Sequence, residues 1–338
     1  MERMVYAFKA KKENLLESSS GGAFFALAEA FFTQKDGIKY VFGSSYDDNC
    51  NIITESACTL EECKKFRGSK YAECDYFASF AEVEEKLMAG YRVMYTGVPC
   101  QVHALLHYLK QKKVNTINLI TVDIICHGMP QKRIWQDYKK KLECVYNGRL
   151  KSIDFRYKKS SSIEPVVAAR FSDNRIIVET QLVRSYMMLY FTYLPLRKSC
   201  YQCRFSNLNR VSDITIGDFW GIENVMPEVP SKDGVSEIII NSHKGQDLVE
   251  NLKSIQGAVI KQCHSEDYIK YQHNLNSPTE KPDNVNEFWS DYEKNGFDYI
   301  LTKYAQFTRR GKVLFNIKKL LRRYGIYTQI QQRIKEKV

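Results

Sequence analysis

The residues best suited to chemistry lie in one stretch, Cys200 to Gly221, reading CYQCRFSNLNRVSDITIGDFWG. Its Cys-x-x-Cys pair, Cys200 and Cys203, holds two thiols on one tight turn, close enough to bind a single metal centre. A basic turn follows (Arg204, Asn207, Asn209, Arg210), then a short strand pattern and an acid–aromatic loop carrying Asp218. Two ligands seldom complete a site. Cys100, in YRVMYTGVPCQ, and Cys126, in NLITVDIICHG, each fall where an apolar strand-like run breaks into a loop containing Gly or Pro. Four thiolates from three loops could enclose one iron–sulfur cluster. The same four would equally serve an all-cysteine structural zinc site in a non-redox enzyme such as a sugar transferase.

Other residues could hold a phosphate. Ser18, Ser19, Ser20, Gly21 and Gly22 precede the helical pattern AFFALAEAFFTQKDG, with Ser as cap and Gly37 as stop. Glycines at a helix N-terminus let the backbone approach a ligand, and the free N–H groups there favour an anion. An ordinary capped helix fits the same letters. Arg67, Gly68, Ser69, Lys70 and Tyr71 suit a phosphate-bearing aromatic cofactor, with the cations on phosphate and the ring beside a ring; a solvated helix end is the alternative. Thr96 and Gly97 occupy a strand-to-helix turn, where α/β proteins place ligands. Neither a Walker motif nor GxGxxG occurs. His127 either protonates a substrate or, the favoured reading, caps a loop. Asp123, Asp213 and Asp218 flank the proposed centre, and Asp218 orients a bound cofactor or the arginines, or is a turn acid. No nucleophile–base–orienter set supports a hydrolase.

These residues need a scaffold. The 338-residue chain is long enough for one large or two ordinary domains, and its hydrophobic fraction of 44% is that of a globular protein. Strand and helix patterns alternate over residues 1–145, which argues for an α/β half with a parallel sheet. After about residue 150, KSIDFRYK, VVAARFSD and NRIIVETQ suggest an antiparallel hairpin, and the region reads as α+β around a mixed sheet. The expected division is an α/β half carrying the phosphate-friendly loops (1–150), an α+β half with the Cys-x-x-Cys segment (151–300) and a tail (301–338). Ten cysteines without a secretory signal mean reduced thiols in a cytoplasmic protein. Cys50, Cys58, Cys63, Cys74, Cys144 and Cys263 lack paired spacing and read as packing or surface residues; the first four form the rival ligand set.

The net charge is +11, and nearly all of it lies beyond residue 300, where eleven Lys or Arg face one acid, Glu336. A body so close to neutral gives no indication of nucleic-acid binding. Within the tail, Val313, Ile317, Leu320, Leu321, Tyr324, Ile330 and Ile334 recur near helical spacing among the cations. A basic amphipathic helix over residues 305–338 suits the inner membrane surface or a docking partner, and it also motivates a scaffold role in a membrane-associated complex.

The strings SSSGG, RGSKY, TGVPCQ, DIICHG and CYQCRFSNLNRVSDITIGDFWG together resemble the beta subunits of coenzyme F-420-linked hydrogenases and dehydrogenases, in particular bacterial relatives found beside polysaccharide-assembly genes. The resemblance implies an oxidoreductase that binds FAD and a [4Fe–4S] cluster and relays electrons between them. It implies that Cys100, Cys126, Cys200 and Cys203 ligate the cluster and that the SSSGG, RGSKY and TGVP loops border FAD. Many bacterial relatives begin with a ferredoxin module; this chain starts at the flavin half, so a separate electron donor such as a ferredoxin is expected, acting toward a small-molecule substrate.

Overall fold

The computed structural model describes residues 3–159, 166–323 and 326. Among them lie the strands β1 (Met4–Lys9), β2 (Lys39–Tyr46), β3 (Ile52–Ala57), β4 (Cys74–Asp75), β5 (Arg92–Gly97) and β6 (Leu119–Ile124). Then follow β7 (Leu150–Tyr157), β8 (Val166–Phe171), β9 (Ile176–Val178), β10 (Ile214–Asp218), β11 (Ser236–Ile240) and β12 (Val259–Cys263). Nine of these form one sheet in the order β12-β1-β11-β10-β6-β5-β2-β3-β4, and β7-β8-β9 form a separate antiparallel sheet. The large sheet takes strands from both sides of residue 150.

Its centre, β10-β6-β5-β2, is parallel. Parallel strands must be apolar on both faces because helices cover both, and β6 meets that demand by burying Leu119 through Asp123. On one face, helices Phe77–Met88 and Pro99–Gln111 pack Phe80, Val83 and Leu105 onto Phe42, Val93 and Tyr95. On the other, helices Ala23–Thr33 and His243–Leu252 pack Leu27, Phe31 and Leu248 onto Met94, Val122 and Ile214. Beside the sheet, helices Lys132–Tyr146, Gln181–Tyr190 and Val285–Tyr304 enclose an aromatic core of Trp135, Tyr138, Phe155, Tyr186 and Phe288 with the β7-β8-β9 sheet. Each such ring contributes roughly 1.5–3 kcal/mol by leaving water.

Strand direction decides where the loops meet. β11 runs antiparallel to both β1 and β10, so β1 points the same way as the parallel centre. The loops that follow β1, β5, β6 and β10 therefore leave from one edge, the carboxyl end, where open α/β sheets bind ligands.

The structure corrects the start of helix Ala23–Thr33. No serine of SSSGG caps it: Ser18 donates its hydroxyl to Asn14 O, and the cap residue is Gly22, at φ 91°. The Ala23 N–H reaches instead for Ser236 Oγ at 3.4 Å, on β11. Gly21 runs so close to the sheet that a Cβ would sit 2.2 Å from Phe8 O, and that contact, with the left-handed Gly22, fixes the loop.

A helix, Arg309–Arg323, opens the tail. Gly311 and Phe315 face the body, whereas Val313, Leu314, Ile317 and Leu320 are exposed. Tyr324, Ile330 and Ile334 lie outside the described residues. No helix among the described residues is long and apolar enough to cross a membrane.

Candidate functional site

Cys100, Cys126, Cys200 and Cys203 line one cavity of roughly 880 Å3 including its open mouth. Each is positioned differently. Cys100 stands in the first turn of helix Pro99–Gln111, which starts sharply because Pro99 fits there and Gln101 Oε1 accepts the Val98 N–H at 3.0 Å. A thiolate gains from a helix N-terminus. Cys126 follows β6, in a loop stitched to the segment before Cys200. Arg197 N–H donates to Met129 O and Gln131 N–H to Pro195 O, both at 2.9 Å. The Cys-x-x-Cys turn is fastened from below by Arg210, which donates to Phe205 O at 2.8 Å and pairs with Asp123 on β6 at 2.7 Å.

Two backbone amides point at sulfur: Gly128 N–H to Cys126 and Met129 N–H to Cys200, each at 3.4 Å. As free thiols these groups resist ionisation. Burial pushes Cys126 up to about 12 despite the Gly128 bond, and burial followed by the neighbouring Cys200 and Cys203 raises Cys100. Burial also raises Cys200. The four thiols stand exposed or half-buried on one cavity wall; as thiolates they would need a positive centre, and amide donors stabilise sulfur-bound charge, so this donor set fits a metal–sulfur group. No three His, Cys, Asp or Glu side chains among the described residues gather around a single ion position; the four sulfurs instead border a shared space. The rival set is dispersed. Cys50 and Cys74 belong to the aromatic core, Cys63 to another core, and Cys58 is exposed.

Val98, Gln101, Cys126, Gly128 and Met129 also border a larger cleft, which holds roughly 1450 Å3 including its open mouth. Ser18, Ser19, Ser20, Gly22, Arg67, Gly68, Ser69, Lys70, Tyr71, Thr96 and Gly97 all line it, together with His127 and Asp218. Three loops far apart in sequence thus meet, and two are tied directly by the Ser69 N–H donating to Ser19 Oγ at 2.8 Å. Gly21 is packed against the sheet behind them. Two buried polar atoms on the walls have no partner among the described residues: Arg67 Nε and Thr96 Oγ1. Buried polar atoms are seldom left unpaired, so a polar ligand belongs in this cleft.

Individual roles differ from the expectation. Lys70 does not offer its charge to the cleft. Its ammonium donates to the carbonyls of Phe66, Arg67 and Gly68 at 3.0–3.1 Å, and burial lowers it to about 7. It orders its own turn. Arg67 lies with its guanidinium 3.4 Å from the Phe25 ring centre and donates to Asn14 Oδ1 at 2.9 Å. The Tyr71 ring packs on Phe155 and Tyr190. Burial lowers the His127 pKa against an opposing hydrogen bond with Asn274, and Thr279 Oγ1 donates to the His127 carbonyl at 2.6 Å. Asp213 fastens β10 by accepting from Thr121 N and Oγ1 at 2.8 and 2.9 Å.

Residues of β7 and of the segment just after it complete the site, and their strand-like letters gave no warning of it. Arg156 pairs with Asp218 at 2.7 Å and donates to Ser19 O at 3.3 Å. Burial opposes its charge, but Tyr71 and Asp218 prevail and hold the guanidinium protonated. Lys158 donates to Ser20 O at 2.8 Å, and burial lowers it to about 8. Beyond Arg156, a vestibule continues outward between Tyr71, Tyr190, Trp220, Tyr271 and His273. Thiol cavity, cleft and vestibule therefore succeed one another along one edge of the sheet.

The family model for the C-terminal part of the coenzyme F420 hydrogenase/dehydrogenase beta subunit matches residues 90–265. That span is just over half of the chain and contains all four cysteines of the cavity. No curated protein matches. Among solved structures, a chain of the F420-reducing [NiFe] hydrogenase complex from Methanosarcina barkeri aligns at 18% identity with a TM-score of 0.49, over 76% of this chain and 81% of that one.

Proposed function

The chain belongs to the coenzyme F420 hydrogenase/dehydrogenase beta-subunit family, an affiliation with oxidoreductases, and from that premise we propose a flavin- and iron–sulfur-dependent oxidoreductase acting on a small molecule. One observation supports this reading above the others: four thiols from three loops border a cavity that shares a wall with a cleft lined by the SSSGG, RGSKY and TGVP loops. Cys100, Cys126, Cys200 and Cys203 would hold a [4Fe–4S] cluster, and the SSSGG, RGSKY and TGVP loops would hold FAD. When bound, a cluster handles electrons singly, whereas a flavin collects two and delivers a hydride.

The chain's own groups have separable tasks. Gly128 and Met129 amides stabilise charge on sulfur. Thr96 Oγ1 and Arg67 Nε present unpaired donors to the cleft. Arg156 and Asp218 stand where cleft and vestibule join, so they position whatever enters from solvent. His127, whose carbonyl accepts from Thr279, orders the Cys126 segment.

The test is FAD titration of anaerobically isolated protein stripped of flavin. Thr96→Val combined with Arg67→Ala weakens binding about tenfold or more, as loss of two buried polar contacts requires; unchanged affinity rejects the cleft as the flavin site. The motif resemblance motivates a role in polysaccharide biosynthesis without naming the substrate. The exposed stripe Val313, Leu314, Ile317 and Leu320 among Lys312 and Lys318 supports contact with an anionic membrane. Val313→Asp with Ile317→Asp abolishes co-sedimentation with anionic liposomes on that reading, and equal sedimentation rejects it.

A further inference from the structure

Outside the thiol cavity lies a groove lined by Glu73, Gln131, Lys132, Arg133, Arg197, Lys198 and Ser199. Glu73, Arg197 and Ser199 border the cavity as well, so the groove adjoins it. Its charge is one-sided. Arg133 is tied to Glu293 and stacked over Trp289, and Arg197 lies a loose 3.9 Å from Glu73. Lys132 and Lys198 are exposed and have no ion-pair partner among the described residues. Arg204, adjacent to Cys203, is likewise exposed and unpaired, and lies over the Phe205 ring that lines the cavity. On the same rim Tyr76 lines the cavity, and the Phe77 ring stacked on it is 69% exposed.

We infer that this rim is the docking surface for a small acidic iron–sulfur carrier protein. The inference rests on the proposed function, since it names the partner that the thiol centre would serve. The body of the chain is nearly neutral, so a knot of unpaired cations around one opening is a local feature and not part of a general basic surface. Such a knot steers a protein of opposite charge, while an exposed aromatic gives it an apolar anchor. The location matters as much as the sign: Lys132 and Lys198 line the groove that shares Glu73, Arg197 and Ser199 with the thiol cavity, Arg204 follows Cys203, and none of the three lines the vestibule. Each encounter passes one electron to the chain and leaves the carrier oxidised by one. No bond is formed or broken and no proton moves.

The test uses the full chain and an acidic bacterial [4Fe–4S] ferredoxin as probe, read as binding and not as turnover. Zero-length carbodiimide cross-linking joins Lys132 or Lys198 to ferredoxin carboxylates. The complex weakens steeply between ~20 and ~300 mM salt, as exposed charges do. Lys132→Glu, Lys198→Glu and Arg204→Glu together lower affinity about tenfold or more. Equal affinity of the triple variant, or cross-links mapping elsewhere, overturns the inference. Because binding is measured without reference to bound cofactor, absence of iron or flavin would sink the proposed function separately. A preparation that holds both but binds no ferredoxin at any salt contradicts only the docking assignment.

Discussion

Two arginine–aspartate pairs of equal length teach different things. Arg210–Asp123 and Arg156–Asp218 both close at 2.7 Å. In the first, the two side chains are 2% and 0% exposed, and Arg210 also donates to Thr215 Oγ1 and Phe205 O. In the second they are 24% and 23% exposed and look onto two connected cavities. The same two residue types therefore serve as a fastener in one place and as part of a binding wall in the other. What separates them is the remainder of the contact shell: Arg210 is enclosed by its own loop, whereas Arg156 keeps an open flank.

The comparison breaks most visibly when the enclosed pair is cut. Arg210→Met leaves Asp123 charged and buried, and Asp123 Oδ2 already has no partner among the described residues. The expected loss is about 3–5 kcal/mol by denaturant titration, with the Cys203 turn released from β6. A loss below about 1 kcal/mol would show that the pair fastens nothing.

A third buried acid sharpens the contrast. Glu237 on β11 is fully buried with neither carboxylate oxygen paired among the described residues, and burial pushes it up to about 8 from an ordinary value of 4.5. Its nearest titratable neighbours are Cys263 and Tyr268. Below the ordinary value the carboxyl is neutral in folded and unfolded chains alike, so it carries no penalty. As pH rises toward 8 only the unfolded chain ionises, and stability falls until the folded group ionises too. Glu237→Leu removes that slope and stabilises the protein at pH 8 by on the order of 2–4 kcal/mol. Parallel stability–pH curves for both proteins would refute it.

The smallest stability effect belongs to the open pair. Asp218→Asn changes folding stability by less than about 1 kcal/mol, as for a partly solvated ion pair, yet on the proposed function it weakens FAD binding about tenfold by turning Arg156 away from Ser19 and Tyr71. Isothermal titration beside a denaturation curve separates the two readouts. A variant that loses stability but keeps FAD affinity would make the pair structural after all.

Legibility in the sequence follows the same division. Cys100, Cys126 and the TGVP loop could be picked out because each stands where an apolar strand run breaks, and such breaks gather at one sheet edge; Cys200 and Cys203 stood out by their spacing, and the SSSGG and RGSKY loops by their composition. The helix and strand order was readable for the same reason, through periodicity from Met4–Lys9 to His243–Leu252. Arg156 was not, because KSIDFRYK reads only as a strand and its contact with Ser19 spans 137 positions. Nor could the letters show that Lys70 would fold back on its own carbonyls, or that Ser236 would receive the Ala23 N–H in place of a local serine. Side-chain direction and long-range pairing decide those cases, and periodicity is silent on both.

The central claim concerns what the four thiols surround. Iron, acid-labile sulfide and flavin should be counted per chain in anaerobically purified protein, beside a Cys200→Ala, Cys203→Ala variant. The account predicts about four irons, about four sulfides and one flavin in the parent, and iron lost from the variant. A colourless parent, or one carrying a single zinc and no flavin, would contradict it.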